Sequence, residues 1–237
     1  MHITQCSDYG EMSSLAASLV RETLKEKPDL LLCAATGSSP EGLYQELRAT
    51  ARLDKELFEQ LRILKLDEWG GLPANHPVSC EYFLRKKLLD PLSIPQERYI
   101  SFDSDPENPE AECKRIRFKV ESEGPIDICI LGLGRNGHLG LNEPAPKLEP
   151  FCHVAALTAE SLQHPMIASL ESKPSYGLTL GMKEILASRK IIMLVSGKEK
   201  KHMAEKFLEG KVSTELPASF LWQHKQVECL VDREVLV

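Results

Sequence analysis

The sequence predicts an α/β fold built on an open, mostly parallel sheet. Three observations predict it. Short apolar runs alternate with amphipathic stretches along the whole chain. Each run is about strand length, and most are apolar on both faces, as strands covered by helices on both sides must be. No internal repeat, low-complexity tract or Gly/Ser linker interrupts the pattern, so residues 1–237 read as a single domain.

The candidate strands, in order, are Leu30–Ala35 (LLLCAA), Arg62–Leu66 (RILKL), Ile126–Leu131 (IDICIL), Ile191–Val195 (IIMLV) and Val227–Val231 (VECLV). Helical patterns lie between them. Met12 to Leu24 places Leu15, Leu19, Val20 and Leu24 on one face, with Ser7 and Asp8 ahead of it as caps. Glu41–Leu53, Cys80–Leu89, Pro109–Glu123 and Glu199–Leu208 read similarly. The proline-rich patches at Asp105–Pro109 and Glu143–Pro150 are short enough to be loops.

Composition excludes several function classes. The chain carries 29 Lys+Arg against 35 Asp+Glu, a net charge of −6. An acidic chain is a poor partner for a phosphate backbone, so no nucleic-acid binding is expected. No window approaches the ~18 uninterrupted apolar residues of a membrane span, and the N-terminus shows no signal peptide. The seven cysteines are widely spaced and form no C-x-x-C motif. They predict neither a zinc site nor a disulfide framework, and fit a reducing, cytoplasmic compartment.

In an open α/β sheet ligands bind at the carboxyl ends of strands, so the residues after each run are the candidates. Thr36, Gly37, Ser38, Ser39 and Pro40 follow the first run. They put hydroxyls and backbone N–H groups at a helix start, which suits either a small anion or a plain capped turn. No G-x-x-x-x-G-K-[ST] occurs, so this is not a nucleotide P-loop. Asp67 and Glu68 follow the second run. Strand alternation sends them to opposite sides, so without a kink at most one faces a crevice. That one is a candidate general base or a loop-pinning group.

Gly132–Pro144 (GLGRNGHLGLNEP) follows the third run. It contains a formal G-x-G-x-x-G, but glycine, asparagine and proline continue where a dinucleotide site needs a helix, so that reading fails. What remains is His138 with Glu143, a proton-handling set on a loop whose glycines allow close approach to a ligand. Ser196–Lys201 follows the fourth run and suits either a second phosphate contact or a solvated helix start. Together these features point to a small phosphorylated metabolite and proton-transfer chemistry. The loops signal no nucleotide, and the histidines show no metal-ligand spacing, so no metal is expected.

The loops LDEWGGLPANHPVSCEYF (Leu66–Phe83), GLGRNGHLGLNEP and LPASFLWQH (Leu216–His224), with ATGSSP (Ala35–Pro40), resemble those of the glucosamine-6-phosphate deaminase/isomerase family over about residues 10 to 232. Within it, KVSTELPASFLWQH and Gln163-His164 look like the galactosamine-6-phosphate isomerase branch. The resemblance implies a three-layer Rossmann-like sandwich and a cofactor-free reaction that turns an amino-hexose 6-phosphate into a ketose 6-phosphate plus ammonia. By motif position, Asp67 is the base that moves a proton between C2 and C1. His138 assists ring opening, and Glu143 and Asn136 orient and tune it. Thr36, Gly37, Ser38 and Ser39 hold the phosphate, with Lys200 as a charged partner. Gly134 and Gly137 bring the loop backbone close to the sugar.

Three departures from the family pattern stand out. Asn136 occupies a position where many members have Asp, which shifts electrostatic support of the histidine onto Glu143. An arginine that many members carry is missing from Ser161–Met166, where His164 either contacts the substrate or packs. A C-terminal extension found in allosteric hexameric members is missing, so regulation of that type is not expected. Self-association into a homo-oligomer is left open. Two rivals remain: a 6-phosphogluconolactonase, disfavoured by Asn142-Glu143-Pro144, and a non-catalytic sugar-phosphate sensor. The sensor is disfavoured because no DNA-binding helix-turn-helix fits ahead of the run near residue 30.

Overall fold

The computed structural model describes residues 1–237. Its elements are β1 (His2–Cys6), α1 (Tyr9–Glu26), β2 (Leu31–Ala34), α2 (Ser38–Leu53), β3 (Arg62–Lys65), β4 (Asp67–Trp69), α3 (Cys80–Leu84), β5 (Tyr99–Ile100), α4 (Pro109–Glu123), β6 (Ile128–Gly132), β7 (His153–Ala155), β8 (Gly177–Thr179), α5 (Met182–Leu186), β9 (Lys190–Val195), α6 (Lys201–Leu208) and β10 (Val227–Asp232). Short 3-10 turns join several of them, and a π-helical turn at Arg85–Leu89 extends α3.

Seven strands form one sheet in the order β1-β10-β9-β6-β2-β3-β5, and every neighbouring pair is parallel. From β2 the chain runs outward through β3 to β5. It then returns to the other side of β2 with β6, whose Cys129 pairs with Cys33. The strand order therefore reverses between β2 and β6, and a ligand crevice is expected at their carboxyl ends. Helices cover both faces, giving three layers. Met12, Val20, Leu43 and Leu47 of α1 and α2 pack on one face with Leu32 and Ala34. Cys113, Ile116, Ile185 and Phe207 of α4, α5 and α6 pack on the other with Leu31 and Cys33. Consecutive β2 residues thus enter opposite cores, which is why the run is apolar throughout.

The five apolar runs are β2, β3, β6, β9 and β10. β1 was not anticipated, because it is an edge strand of mixed polarity in which only Cys6 is buried. The three-stranded antiparallel sheet β4-β8-β7 was not anticipated either. Its strands have three residues each, too short to show a period. Helix starts follow local rules: Asp8 Oδ1 accepts from Glu11 N (2.8 Å) at α1, and Asn108 caps α4 with Pro109 in its first turn. Ser7 does not cap; its amide donates to Glu11 Oε2 (2.6 Å) instead. The Glu199–Leu208 pattern is a 3-10 turn at Lys198–Lys200 followed by α6. All seven cysteines are free, and only Cys152 is not fully buried.

A buried ion cluster pins the end of β3. Lys65 is fully buried. Its Nζ donates to Glu68 Oε2 (2.8 Å), Glu81 Oε2 (3.0 Å) and the Phe102 carbonyl (3.0 Å). Glu68 also accepts from the amides of Trp69, Cys80 and Glu81, each at 2.8 Å. Tyr99 donates to Glu81 from below (2.8 Å), and Arg85 pairs with Glu81 at 2.8 Å. Burial pushes the Glu81 carboxyl up, but Lys65, Tyr99 and Arg85 outweigh it and hold it below the usual carboxylate range. Lys65→Met would leave two buried carboxylates short of a counter-charge. We expect it to cost about 3–5 kcal/mol in urea unfolding. A loss under about 1 kcal/mol would show that the remaining amides and Arg85 suffice.

Candidate active site

A cleft of about 280 Å³ opens at the carboxyl ends of β2, β3, β6 and β9. Its walls come from the segments after each strand: 35–41, 66–67 with Trp69, 132–135 with His138 and 140–141, and 199–200, with 160–161 and 164–166 across one side. Sites for drug-sized ligands occupy ~300–1,000 Å³, so this cleft suits one sugar ring rather than a dinucleotide.

One end of the cleft is built for an anion. Gly37 is the cap residue of α2, and no side chain caps that helix. The amides of its first turn are thus available to a ligand. Ser39 is buried, and its Oγ lies 2.9 Å from Ser196 Oγ and accepts from Lys200 Nζ at 3.1 Å. The loops after β2 and β9 therefore meet here. Burial holds the Lys200 ammonium below its ordinary range, partly offset by Glu199, and Lys200 takes part in no ion pair. Thr36 lines the wall and donates to Cys80 Sγ (3.4 Å), and Ser38 is exposed beside it.

His164 lines the same end. Its ring is tilted against Trp69, with centroids 5.6 Å apart. Nδ1 accepts from the Met166 amide at 3.3 Å, so the neutral ring carries its proton on Nε2. A methyl group placed on Gly37 would lie 3.9 Å from that nitrogen. Burial, then the charges of His138, Lys200 and Arg135, push His164 down to about 4. His164 therefore packs on Trp69 and also lines the cleft.

The other end carries Asp67 and His138. The chain leaves the main sheet at Leu66, whose amide bonds to Ala34 O (3.1 Å), and joins the second sheet at Asp67, which pairs with Thr179. This break sends Asp67 to the cleft and Glu68 down to Lys65. Asp67 is half-buried, and its Oδ1 is shut off without a hydrogen-bond partner. Burial, then the nearby Glu68 charge, pushes its carboxyl up to about 7, against the opposing pull of His138 and Lys65. A carboxylate so weakly solvated is a competent base near neutral pH.

The His138 imidazole lies flat on Gly134. A Cβ on Gly134 would sit 2.3–2.5 Å from the ring atoms Cδ2, Cγ and Nε2. His138 Nδ1 is 3.4 Å from Glu143 Oε2. Glu143 in turn accepts from Asn136 Nδ2 (2.7 Å) and from the Ser161 hydroxyl. Burial pushes Glu143 up, but His138, Ser161 and Asn136 outweigh it and hold it below its usual range, so it is an anion beside the imidazole. Asn136 touches Glu143 and the His138 amide (3.2 Å) rather than the imidazole. Asn136 and Glu143 thus lie behind His138 and do not line the cleft.

Gly137 corrects one expectation. It was expected to bring backbone to the ligand, but it does not line the cleft. It closes a turn at φ +85°, and a Cβ there would meet Leu216 Cδ1 at 2.2 Å. Its task is to let the turn close against Leu216.

Several lining residues were not foreseen. Arg135, Glu160 and Trp69 line the cleft, and Ser161 reaches Glu143 from a different loop. Arg135 lay inside a motif already singled out; Ser161 carried no sequence signal. No cluster of three His, Cys, Asp or Glu residues is placed to hold a metal ion. No helix is long and apolar enough to cross a membrane.

Comparison with known proteins agrees with this geometry. The family described as glucosamine-6-phosphate isomerases/6-phosphogluconolactonase matches residues 9–231. An Escherichia coli K12 protein provisionally named deaminase AgaI is 39% identical over 97% of this chain and 91% of its own. Glucosamine-6-phosphate deaminase 1 of Bacillus subtilis is 36% identical over 99% of this chain and 98% of its own. A solved monomeric glucosamine-6-phosphate deaminase superposes with a TM-score of 0.93 at 36% identity, covering 100% of both chains. A 6-phosphogluconolactonase from Trypanosoma cruzi shares the fold, with a TM-score of 0.80 at 21% identity over 99% of this chain and 95% of that one. The chain is an enzyme of the glucosamine-6-phosphate isomerase/6-phosphogluconolactonase family and matches deaminases of that family over nearly their whole length.

Proposed function

We propose that the chain converts an amino-hexose 6-phosphate into a ketose 6-phosphate and ammonia, and that galactosamine 6-phosphate, giving tagatose 6-phosphate, is its substrate. One observation carries the deaminase reading. Asp67, a desolvated carboxylate whose Oδ1 has no hydrogen-bond partner, shares a single sugar-sized cleft with Lys200, an ammonium in no ion pair. The cation end takes the phosphate through Thr36, Gly37, Ser38, Ser39 and Lys200, with the Nε2–H of His164 beside them. Phosphate binding there positions the reacting carbons at the other end.

His138 passes a proton from the anomeric hydroxyl to the ring oxygen and opens the ring, with Glu143 stabilising the imidazolium in between. Asp67 takes the proton from C2 and returns it at C1. Water then replaces nitrogen at C2, so one water is consumed and one ammonia released. No external electron acceptor is needed, because C2 is oxidised as C1 is reduced. The buried free thiols fit a reducing, cytoplasmic setting for this enzyme.

The galacto preference rests on KVSTELPASFLWQH and Gln163-His164. A second reading, glucosamine 6-phosphate to fructose 6-phosphate, is favoured by the names of the Bacillus subtilis relative and of the solved deaminase at 36% identity. The two differ by one hydroxyl inversion at C4. Ammonia release from each sugar phosphate tests both. Faster turnover of the galacto sugar is expected; faster turnover of the gluco sugar transfers the assignment, and silence with both overturns the deaminase reading.

Asp67→Asn should lower kcat by ~10²–10⁴-fold while leaving inorganic phosphate binding intact. Because Asp67 acts as the ionised base, activity should be lost below its raised pKa. We expect kcat/KM to climb about tenfold per pH unit up to about 7 and then level off. A limb centred near 4 would show a carboxylate that is not desolvated. Gly134→Ala should push the imidazole off its seat and cut kcat by at least about tenfold with little change in Tm. Unchanged turnover would place His138 outside the chemistry.

A further inference from the structure

We propose that Arg135 is a second phosphate-binding cation, and that its place on the Gly134–Gly137 turn links phosphate occupancy to the setting of His138. The inference rests on the sugar-phosphate reading of the cleft and deepens it.

Arg135 lines the cleft with Lys200 and His164. It is exposed, and its guanidinium takes part in no ion pair and no hydrogen bond. None of the acids that line the cleft pairs with Arg135. Glu41 pairs with Lys87, and Glu199 folds back over Gly197. Glu160 forms no ion pair with either cation.

After burial, the Arg135 charge is among the causes that hold both Lys200 and His164 below their ordinary ranges. The three groups therefore feel one another. A phosphate dianion between Lys200 and Arg135 turns their repulsion into attraction, the neutral His164 adds an N–H donor, and a planar guanidinium can meet two phosphate oxygens at once.

The turn supplies the link to His138. Gly137 N donates to Gly134 O (3.0 Å), and Gly134 N donates to His138 O (3.2 Å). Asn136 Oδ1 accepts from His138 N (3.2 Å). Arg135 is at one corner of this closed turn, and the His138 imidazole rests on its first residue, Gly134. A pull on Arg135 is therefore passed to the imidazole through a backbone with little slack.

The test uses Arg135→Ala and Arg135→Lys in the full chain, with inorganic phosphate as the probe. Isothermal titration should show Arg135→Ala binding phosphate about 10- to 100-fold more weakly, with Arg135→Lys recovering part of the loss. Kinetics with the amino-hexose 6-phosphate should show KM raised and kcat lowered at least about fivefold in Arg135→Ala, with the acid limb at about pH 7 unmoved. Arg135→Lys should restore KM more than kcat, because a point charge holds phosphate without fixing the turn.

Phosphate binding within twofold of the unmodified chain overturns the subsite. Weakened binding with unchanged kcat overturns the link to His138. If the unmodified chain releases no ammonia but Arg135→Ala still loses phosphate binding, the proposed reaction fails and the subsite stands.

Discussion

The site depends on what Glu68 does. Its carboxylate collects three backbone amides and the ammonium of a fully buried lysine, and so fixes the place where β3 gives way to β4. Two of those amides, from Cys80 and Glu81, belong to the start of α3. One side chain thus ties a strand end, a helix start and the second sheet together. A buried charge is tolerated only when it is fully bonded, so the local backbone has little freedom to relax. Asp67 is the neighbour on the opposite face, and its exposure to the cleft follows from how firmly Glu68 is held beneath it.

The cleft separates its charges along its length. Asp67 sits at one end, desolvated and close to a neighbouring anion, with a proton affinity raised into the neutral range. Lys200, Arg135 and His164 gather at the other, where burial, with the Arg135 charge nearby, weakens the hold of Lys200 and His164 on their protons. Each end is electrostatically dissatisfied in a way that a bipolar ligand would relieve: a phosphate at one end, a carbon acid at the other. His138 lies at the Asp67 end, and its electrostatic partner Glu143 is kept out of the cleft. A neutral residue at position 136 fits this arrangement. Asn136 offers Glu143 a donor and the His138 amide an acceptor, whereas an ionised aspartate could accept from the amide but not donate to Glu143.

Much of this was legible in the residues. The strands buried on both faces announced themselves as continuous apolar runs, and the crevice was predicted at their carboxyl ends. The opposite orientations of Asp67 and Glu68 follow from strand alternation, and the structure keeps them while breaking the strand at Leu66. The glycine-dense segment after β6 is a loop, as its asparagine and prolines required. Other features were not legible. β1 is a polar edge strand held by β10 alone, and β4, β7 and β8 are too short for periodicity. Gly134 and Gly137 look alike in sequence, yet one seats the imidazole and the other closes the turn against Leu216.

What the sequence by itself determined is therefore the layered α/β class, the loops that carry chemistry and the residue types within them, because periodicity and turn chemistry are local properties. Only the tertiary structure decided which of these residues share a cavity and which stand behind it. The meeting of Ser39 with Lys200 across the β2–β6 switch point depends on strand order. So does the approach of Ser161 to Glu143 from a separate loop. The raised proton affinity of Asp67 and the lowered one of His164 come from burial against groups distant in sequence. Desolvation is a property of the assembled cleft, and no single segment contains it.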